Sequence, residues 1–177
     1  MQPRFLFLFL QNKNIEYDRT FPKSIFEYTI PMIDNKLRYN MSTWIFVANL
    51  KRFRVHDFIR DYGFIEYLQT NKVTEGDIVY LYITAPYSRV EYKMIVERAN
   101  IPFNEAFDDR AYSNQPNGPW PPLESEKFVR LKAIKRIQND DLKFKHLQEH
   151  GLYLTMQSNR RISGEVADYI EEYFNIE

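Results

Sequence analysis

The pattern of hydrophobic and polar positions along the chain predicts short strands and helices. Thr43–Ala48 is dominated by Trp, Ile, Phe and Val, which is typical of a buried strand. Apolar residues in 54–62 recur at helical spacing, which predicts a short helix that ends at Gly63. Residues 67–72 are polar and predict a loop, whereas Ile78–Ile83 is rich in β-branched and aromatic residues and predicts a strand.

The following segments also alternate between turns and strands. Residues 75–77 and Pro86 predict turns on either side of the second strand. In residues 90–96 the apolar side chains occupy every second position, with Val90, Tyr92, Met94 and Val96 predicted on one face. Residues 128–137 show the same alternation. This succession of strands and turns predicts an antiparallel meander or a small barrel.

The rest of the chain predicts a long loop and two helices. Residues 97–126 contain five prolines and no sustained period, which is typical of a binding loop or a disordered insertion. Asp140 is expected to cap a helix over 141–150. Ser163 is expected to cap a final helix with one apolar stripe formed by Val166, Tyr169, Ile170, Tyr173 and Phe174. Together these elements indicate an α+β domain.

The first 40 residues differ from the remainder. Residues 1–40 are rich in Phe, Tyr, Asn and Lys and have no sustained period. We expect them to be an N-terminal extension that is loosely packed or disordered, with residues 41–177 as the folded domain. The change of pattern leads to the further hypothesis that Met41 is the true translation start.

The composition of the chain narrows the range of functions that the sequence allows. The chain has 24 basic and 24 acidic residues and no net charge, which argues against a protein that coats DNA without selectivity. It has no cysteine, which excludes disulfides and thiol catalysis and is natural in a reducing compartment. No apolar run reaches the length of a membrane span, and we expect a cytoplasmic protein. Aromatic residues make up 16% of the chain, enough to supply both a core and a ligand-stacking surface.

Signatures of catalysis are mostly absent from the sequence. There is no Gly-rich phosphate loop and no Gly-x-Ser-x-Gly motif. His146 and His150 are spaced as in zinc proteases, but the Glu that should follow the first His is replaced by Leu147, so we expect no metal and no cofactor. Glu91 and Lys93 are interpreted as a surface ion pair. The sequence therefore favours a protein without catalytic activity.

Polar and aromatic side chains near strand ends form a candidate binding set. Amides present both donors and acceptors to a base edge, and aromatic faces stack on bases. The predicted base-binding residues are Trp44, Asn49, Tyr67, Gln69, Thr70, Tyr87 and Trp120. The predicted phosphate-binding residues are Lys51, Arg52, Lys72, Arg89, Arg160 and Arg161. Core packing is the alternative role for Trp44, and ordinary turn chemistry is the alternative for Gln69.

Five segments of the chain resemble the EVE domain family. They are 44–53 (WIFVANLKRF), 66–72 (EYLQTNK), 75–82 (EGDIVYLY), 90–97 (VEYKMIVE) and the tail from Gly151 onward. Nearly all of residues 41–177 take part. The sequence differs from the family pattern at Tyr67, where a Trp is expected, and at Asn49-Leu50, where many members have Ser-Glu-Pro.

The resemblance implies a PUA-like fold, which is a small, mixed, mostly antiparallel β-barrel flanked by short helices, related to the YTH and ASCH domains. Such modules bind modified bases, including methylated or hydroxymethylated cytosine and methylated adenine. Many belong to modification-dependent restriction systems, with a nuclease or motor subunit as partner. The family's pocket positions correspond to Trp44, Asn49, Tyr67 and Gln69.

Two other functions remain open at this point. One is a small hydrolase or ribonuclease of the ASCH type, with Lys93 or a tyrosine acting beside an acidic partner; the ASCH signature Gly-x-Lys-x-x-Glu/Asp is not found in the sequence. The other is a protein-interaction module in which the Tyr-rich surface and the Pro-rich loop bind a partner.

Overall fold

Six strands form one sheet in the computed structural model, which describes residues 41–115, 124–152 and 158–176. The strands are β1 (Thr43–Ala48), β2 (Phe64–Leu68), β3 (Ile78–Ile83), β4 (Arg89–Pro102), β5 (Lys127–Arg136) and β6 (Arg160–Ile162). Their order across the sheet is β2-β5-β4-β3-β1-β6. The β1/β3 pair is parallel and every other neighbouring pair is antiparallel.

Three α-helices accompany the sheet in the described residues, α1 (Val55–Tyr62), α2 (Phe144–Glu149) and α3 (Glu165–Asn175). Helix α1 ends as predicted at Gly63, which has a φ of 76° and donates its N–H to the carbonyl of Ile59 at 2.8 Å. A left-handed backbone conformation at this position favours glycine, because glycine has no Cβ. The predicted α+β class is confirmed.

The two faces of the sheet bury separate apolar clusters. Helix α1 covers the first cluster, to which it contributes Val55, Phe58 and Ile59. Strand β2 curls toward this cluster until the ring of Tyr67 lies edge-on to Phe46 of β1, with 5.3 Å between the ring centroids. Helices α2 and α3 cover the second cluster on the opposite face. The sheet is thus a curled half-barrel with helices on both sides.

Four local predictions differ from the structure. Tyr67 lies in strand β2 rather than in a loop, since the segment pairs with β5 more than 50 residues away, which a local pattern does not reveal. Strand β4 continues to Pro102, into the predicted long loop. Asn139, not Asp140, caps the turn before α2, and α3 has Gly164 rather than Ser163 at its N-cap. The predicted extended segment 152–156 lies outside the described residues except for Leu152.

A buried carboxylate holds the start of the sheet. Asp77 is almost fully buried at the turn before β3. Its Oδ1 accepts the backbone N–H of Ser42 at 2.8 Å, and its Oδ2 accepts the indole N–H of Trp44 at 2.9 Å and the backbone N–H of Thr74 at 3.0 Å. One side chain therefore ties the beginning of β1 to the turn that starts β3.

We expect Asp77→Ala to lower the free energy of unfolding by roughly 2–4 kcal/mol, because three N–H donors lose a charged acceptor inside the fold. Urea denaturation measures this. Asp108→Ala removes an exposed carboxylate paired with Arg110 and serves as the control, with an expected change below about 1 kcal/mol. An Asp77→Ala protein as stable as the control variant would show that the carboxylate does not hold the sheet.

Candidate nucleic-acid interface

Two loops meet at one edge of the sheet because β1 and β3 are parallel. Ala48 at the end of β1 lies beside Ile83 at the end of β3. The loop 49–54 and the turn 84–88 therefore leave the sheet side by side, and Thr84 donates its N–H to the carbonyl of Ala48 at 3.0 Å. We call these two segments, with the side chains packed beneath them, the β1/β3 edge.

Loop 49–54 contains three cations, of which Arg54 pairs with Asp57 of α1 at 3.6 Å. Asn49 accepts the backbone N–H of Lys51 on its side-chain Oδ1 at 2.9 Å, and its carbonyl accepts the N–H of Arg52 at 2.9 Å. These bonds form a tight turn that leaves Lys51 and Arg52 exposed. Neither cation forms an ion pair with any residue in the described ranges. Asn49 is therefore a turn residue, a role that the sequence predicted as an alternative for Gln69 and not for Asn49.

Turn 84–88 presents an aromatic ring. The side chain of Tyr87 is 40% exposed. Its ring lies edge-on to His56 of α1, with 5.8 Å between centroids and an interplanar angle of 75°. The guanidinium carbon of Arg89 lies 5.5 Å from the ring centroid of Tyr87. A supported ring with an exposed face is suited to stack on a planar ligand.

A fully buried glutamate lies beneath Tyr87. The register of β3 and β4 shifts so that Leu81 pairs with Tyr92 and Tyr82 pairs with Val90, which makes Glu91 the extra residue of a β-bulge. The exposed fraction of Glu91 is 0%. Burial of a carboxylate without a charged partner costs several kcal/mol of folding free energy. Glu91 is therefore not the surface residue that the sequence predicts, and the bulge also moves Val90 to the opposite face from Tyr92.

Two arginines neutralise Glu91. The Nε of Arg89 donates to Oε1 at 3.0 Å, and the Nη2 of Arg136 donates to Oε2 at 2.9 Å. Arg89 also pairs with Asp140 at 2.8 Å. Only 12% of the Arg89 side chain is exposed, whereas 41% of the Arg136 side chain is exposed. Of the two, Arg136 is the better placed to contact a ligand.

His56 completes the buried network. Its Nδ1 is 2.8 Å from the hydroxyl of Tyr92, and the two rings stack with centroids 5.8 Å apart. Its Nε2 is 3.9 Å from Oε2 of Glu91. Burial lowers the pKa of His56 below its usual value, and the positive charge of Arg136 lowers it further against the attraction of Glu91. Burial also raises the pKa of Tyr92 to about 12.

Other predicted site residues lie at the opposite end of the strands. Gln69 uses both ends of its amide within the fold, donating to the carbonyl of Val73 at 3.3 Å and accepting the N–H of Asn100 at 2.6 Å. Thr70 and Lys72 are exposed nearby. A six-residue strand separates its two ends by about 17 Å. The structure therefore does not bring these three residues to the β1/β3 edge.

The two predicted pocket walls lie inside the half-barrel. Trp44 is 8% exposed, and its indole N–H is bonded to Asp77. Tyr67 is packed against the same apolar cluster, and burial raises the pKa of its hydroxyl above its usual range. Phe46, two residues from Trp44 on the same strand, contacts Tyr67 directly. Their role as walls of a base pocket stays a prediction.

The remaining predicted residues are placed as follows. Arg160 and Arg161 lie on the edge strand β6, opposite Ile45 and Trp44, with Arg161 exposed and Arg160 half-buried. Trp120 lies outside the described residues. Arg89 belongs to the β1/β3 edge but is occupied by its two carboxylates. Its role as a phosphate ligand stays a prediction.

Sequence reasoning did not identify His56, Glu91, Tyr92 or Arg136 as site residues. A glutamate between two apolar residues in a strand is the one sequence signal of the buried network. That signal is equally compatible with a solvent-facing position, because only the bulge turns Glu91 inward.

Within the described residues, no group of three or more His, Asp or Glu side chains is arranged to hold a metal ion. None of the described helices is both long and apolar enough to cross a membrane.

Comparisons with known proteins identify the fold. No family model matches the chain, and no curated protein matches it. An ASCH protein from Zymomonas mobilis has a similar structure at 13% sequence identity and a TM-score of 0.55, covering 74% of this chain and 94% of that one. The Rpa0253 protein of Rhodopseudomonas palustris has a TM-score of 0.52 at 9% identity, covering 75% and 92%.

A third similar structure is that of the human THYN1 protein in complex with DNA that contains 5-methylcytosine. It is 11% identical, with a TM-score of 0.51, and the match covers 77% of this chain and 99% of that one. At such identities the likeness shows the fold alone. The PUA-like fold expected from the resemblance to EVE and ASCH domains is confirmed.

The low pKa of His56 predicts a pH dependence of stability. The unfolded chain binds a proton on this residue at higher pH than the folded chain does, so folding stability decreases as pH falls from 7.5 to 5.5. We expect His56→Gln to flatten this part of the stability profile, measured by urea denaturation at several pH values. His146→Gln and His150→Gln remove histidines outside the network and are the matched controls. A His56→Gln profile parallel to the wild type would contradict the buried network.

Proposed function

We propose that this chain is a nucleic-acid-binding module without catalytic activity that holds a single modified base at the β1/β3 edge. The observation that carries the proposal is the exposed ring of Tyr87, supported edge-on by His56 and followed across the edge by two exposed cations of the adjacent loop. A ring stacks on a base, and cations beside it contact the flanking phosphates.

The fold supports the same proposal. A protein of similar structure, human THYN1, was crystallised with DNA containing 5-methylcytosine. By extension, the base held here is a methylated or hydroxymethylated cytosine or a methylated adenine. A base in a duplex must be flipped out of the helix to reach such a ring. In the cell, such a module is proposed to serve a modification-dependent restriction or defence system, with a nuclease or motor subunit acting in trans.

In this proposal Tyr87 stacks on the base, the exposed Asn49 contacts the base edge, and Lys51 and Arg52 contact phosphates. The amide nitrogen of Asn49 is suited to this role, because the turn uses only its Oδ1. Trp44 and Tyr67 are proposed as a second aromatic surface inside the half-barrel. A base there has to displace the apolar contacts that now cover both rings.

We expect Tyr87→Ala to weaken binding by about 1–3 kcal/mol, equivalent to roughly 5- to 150-fold, because it removes one base stack. The measurement is fluorescence anisotropy with matched single-stranded and duplex oligonucleotides carrying one modified base or none. Tyr87→Phe keeps the ring and is expected to bind like the wild type. Tyr62→Ala removes a similarly exposed ring on α1 and is the positional control.

Two results of this assay decide the proposal. Equal affinity for modified and unmodified oligonucleotides at physiological salt would reject the recognition of a modified base. Replacing Lys51 and Arg52 together by Gln is expected to reduce the salt dependence of binding, while Lys72→Gln is expected to leave it unchanged. A reduced salt dependence in Lys72→Gln alone would place the interface at the opposite end of the strands.

The alternative, a hydrolase that uses Lys93, is tested separately. Lys93 pairs with Glu171 of α3 at 2.5 Å, and the same carboxylate accepts the hydroxyl of Tyr80. These bonds join the sheet to helix α3 and give Lys93 a structural role. We expect Lys93→Ala to lower the melting temperature, and we expect no turnover of RNA or nucleosides by the wild type. Turnover that is lost in a folded Lys93→Ala protein would establish the enzyme instead.

A further inference from the structure

We infer that Arg136 binds a phosphate of the nucleic acid whose base stacks on Tyr87, and that the buried Glu91 is the residue that positions Arg136. The inference rests on the proposed function and deepens it. It adds to the interface one cation that comes from strand β5 and one carboxylate that never touches the ligand.

Arg136 is fixed in place and yet accessible. It ends β5 directly opposite Tyr92 of β4, and its guanidinium carbon lies 5.2 Å from the ring centroid of Tyr92. Its Nε and Nη2 donate to Oε2 of Glu91 at 3.3 and 2.9 Å. Its Nη1 makes no hydrogen bond with a residue in the described parts of the chain. A guanidinium already held on one side loses little conformational freedom when its other side binds an anion.

The charge balance of the network favours an anion at Arg136. Glu91 and Asp140 are the two carboxylates, and Arg89, Arg136 and Lys143 are the three cations paired with them. Arg89 contacts both carboxylates, whereas Arg136 shares a single one. The network therefore carries one positive charge in excess, and Arg136 is the most exposed member that borders the aromatic rings.

A continuous series of ring contacts connects Arg136 to Tyr87. Tyr92 lies beneath its guanidinium, His56 stacks on Tyr92, and Tyr87 packs edge-on against His56. Each of these successive contacts is shorter than 6 Å. In this inference, the backbone of a nucleic acid whose base covers Tyr87 runs along this series to Arg136. The planar fork of arginine suits the oxygen atoms of a phosphate.

Salt dependence of binding tests the contact directly. The probe is a single-stranded DNA oligonucleotide with one 5-methylcytosine, titrated between 50 and 200 mM salt. We expect Arg136→Gln to weaken binding about fivefold to tenfold and to reduce the slope of log affinity against log salt by about 0.7, the contribution of one phosphate contact in a single strand. Lys132→Gln removes a cation of the same strand that is 61% exposed and is expected to change neither quantity. Wild-type affinity and slope in Arg136→Gln would overturn the inference.

The sign of the Glu91 effect separates positioning from simple charge. Glu91→Gln makes the interface more positive, so a carboxylate that only repels the ligand predicts tighter binding in this variant. A carboxylate that positions Arg136 predicts weaker binding in this variant. It also predicts that Glu91→Gln causes no further loss in an Arg136→Gln background, because the residue to be positioned is then absent. Tighter binding, or an additive loss in the double variant, would overturn the role of Glu91.

Arg136→Lys keeps the test decisive if Glu91→Gln does not fold, as judged by circular dichroism and thermal melting. Lysine retains the charge but not the fork that Glu91 holds, so we expect weaker binding with the wild-type salt slope. Full affinity in Arg136→Lys would overturn the positioning role. If the wild type binds no oligonucleotide, the proposed function itself fails. If it binds, and Tyr87→Ala weakens it while Arg136→Gln does not, only the present inference fails.

Discussion

Parallel pairing of β1 with β3 determines which parts of this protein meet. Their register, with Ala48 beside Ile83, brings loop 49–54 and turn 84–88 to the same edge of the sheet. An antiparallel pair would send these segments to opposite ends. The start of the same pair is held by Asp77, which binds the N–H of Ser42 and the indole of Trp44. One buried carboxylate therefore stabilises the pairing on which the proposed interface at the far end depends.

A second buried carboxylate shapes that far end. Glu91 is turned into the protein because the β3/β4 ladder contains a bulge at this position. Once inside, it requires cationic partners, and Arg89 and Arg136 converge on it from β4 and β5. Their guanidinium groups then border the rings of Tyr87 and Tyr92. The arrangement of side chains at the proposed interface therefore follows from the burial of one charge. The bulge is the backbone feature that places this charge inside the protein.

Local patterns in the sequence predicted the elements whose contacts are local or strongly apolar. Strands β1, β3 and β5 and helix α1, with its glycine stop, follow from side-chain periodicity and backbone preference. Strand β2 was missed because its pairing with β5 is non-local. The site divides in the same way. Exposed loop residues such as Asn49, Lys51 and Tyr87 are visible to sequence reasoning, whereas Glu91 and Arg136 become candidate site residues only through strand register, which one sequence does not reveal.

The neutral composition of the chain constrains how such an interface achieves affinity. Non-specific binding to nucleic acid grows with the number of phosphates that a protein neutralises. Among the described residues, few cations are available at the β1/β3 edge, namely Lys51, Arg52 and the exposed part of Arg136, since Arg89 and Arg54 are paired with carboxylates. Backbone contacts alone therefore give weak binding at physiological salt. In the proposed function, the stack on Tyr87 and the contacts to the base edge supply the remainder, and those are the terms that distinguish one base from another. A protein with this charge distribution gains affinity mainly where the base fits, so weak backbone binding favours selectivity.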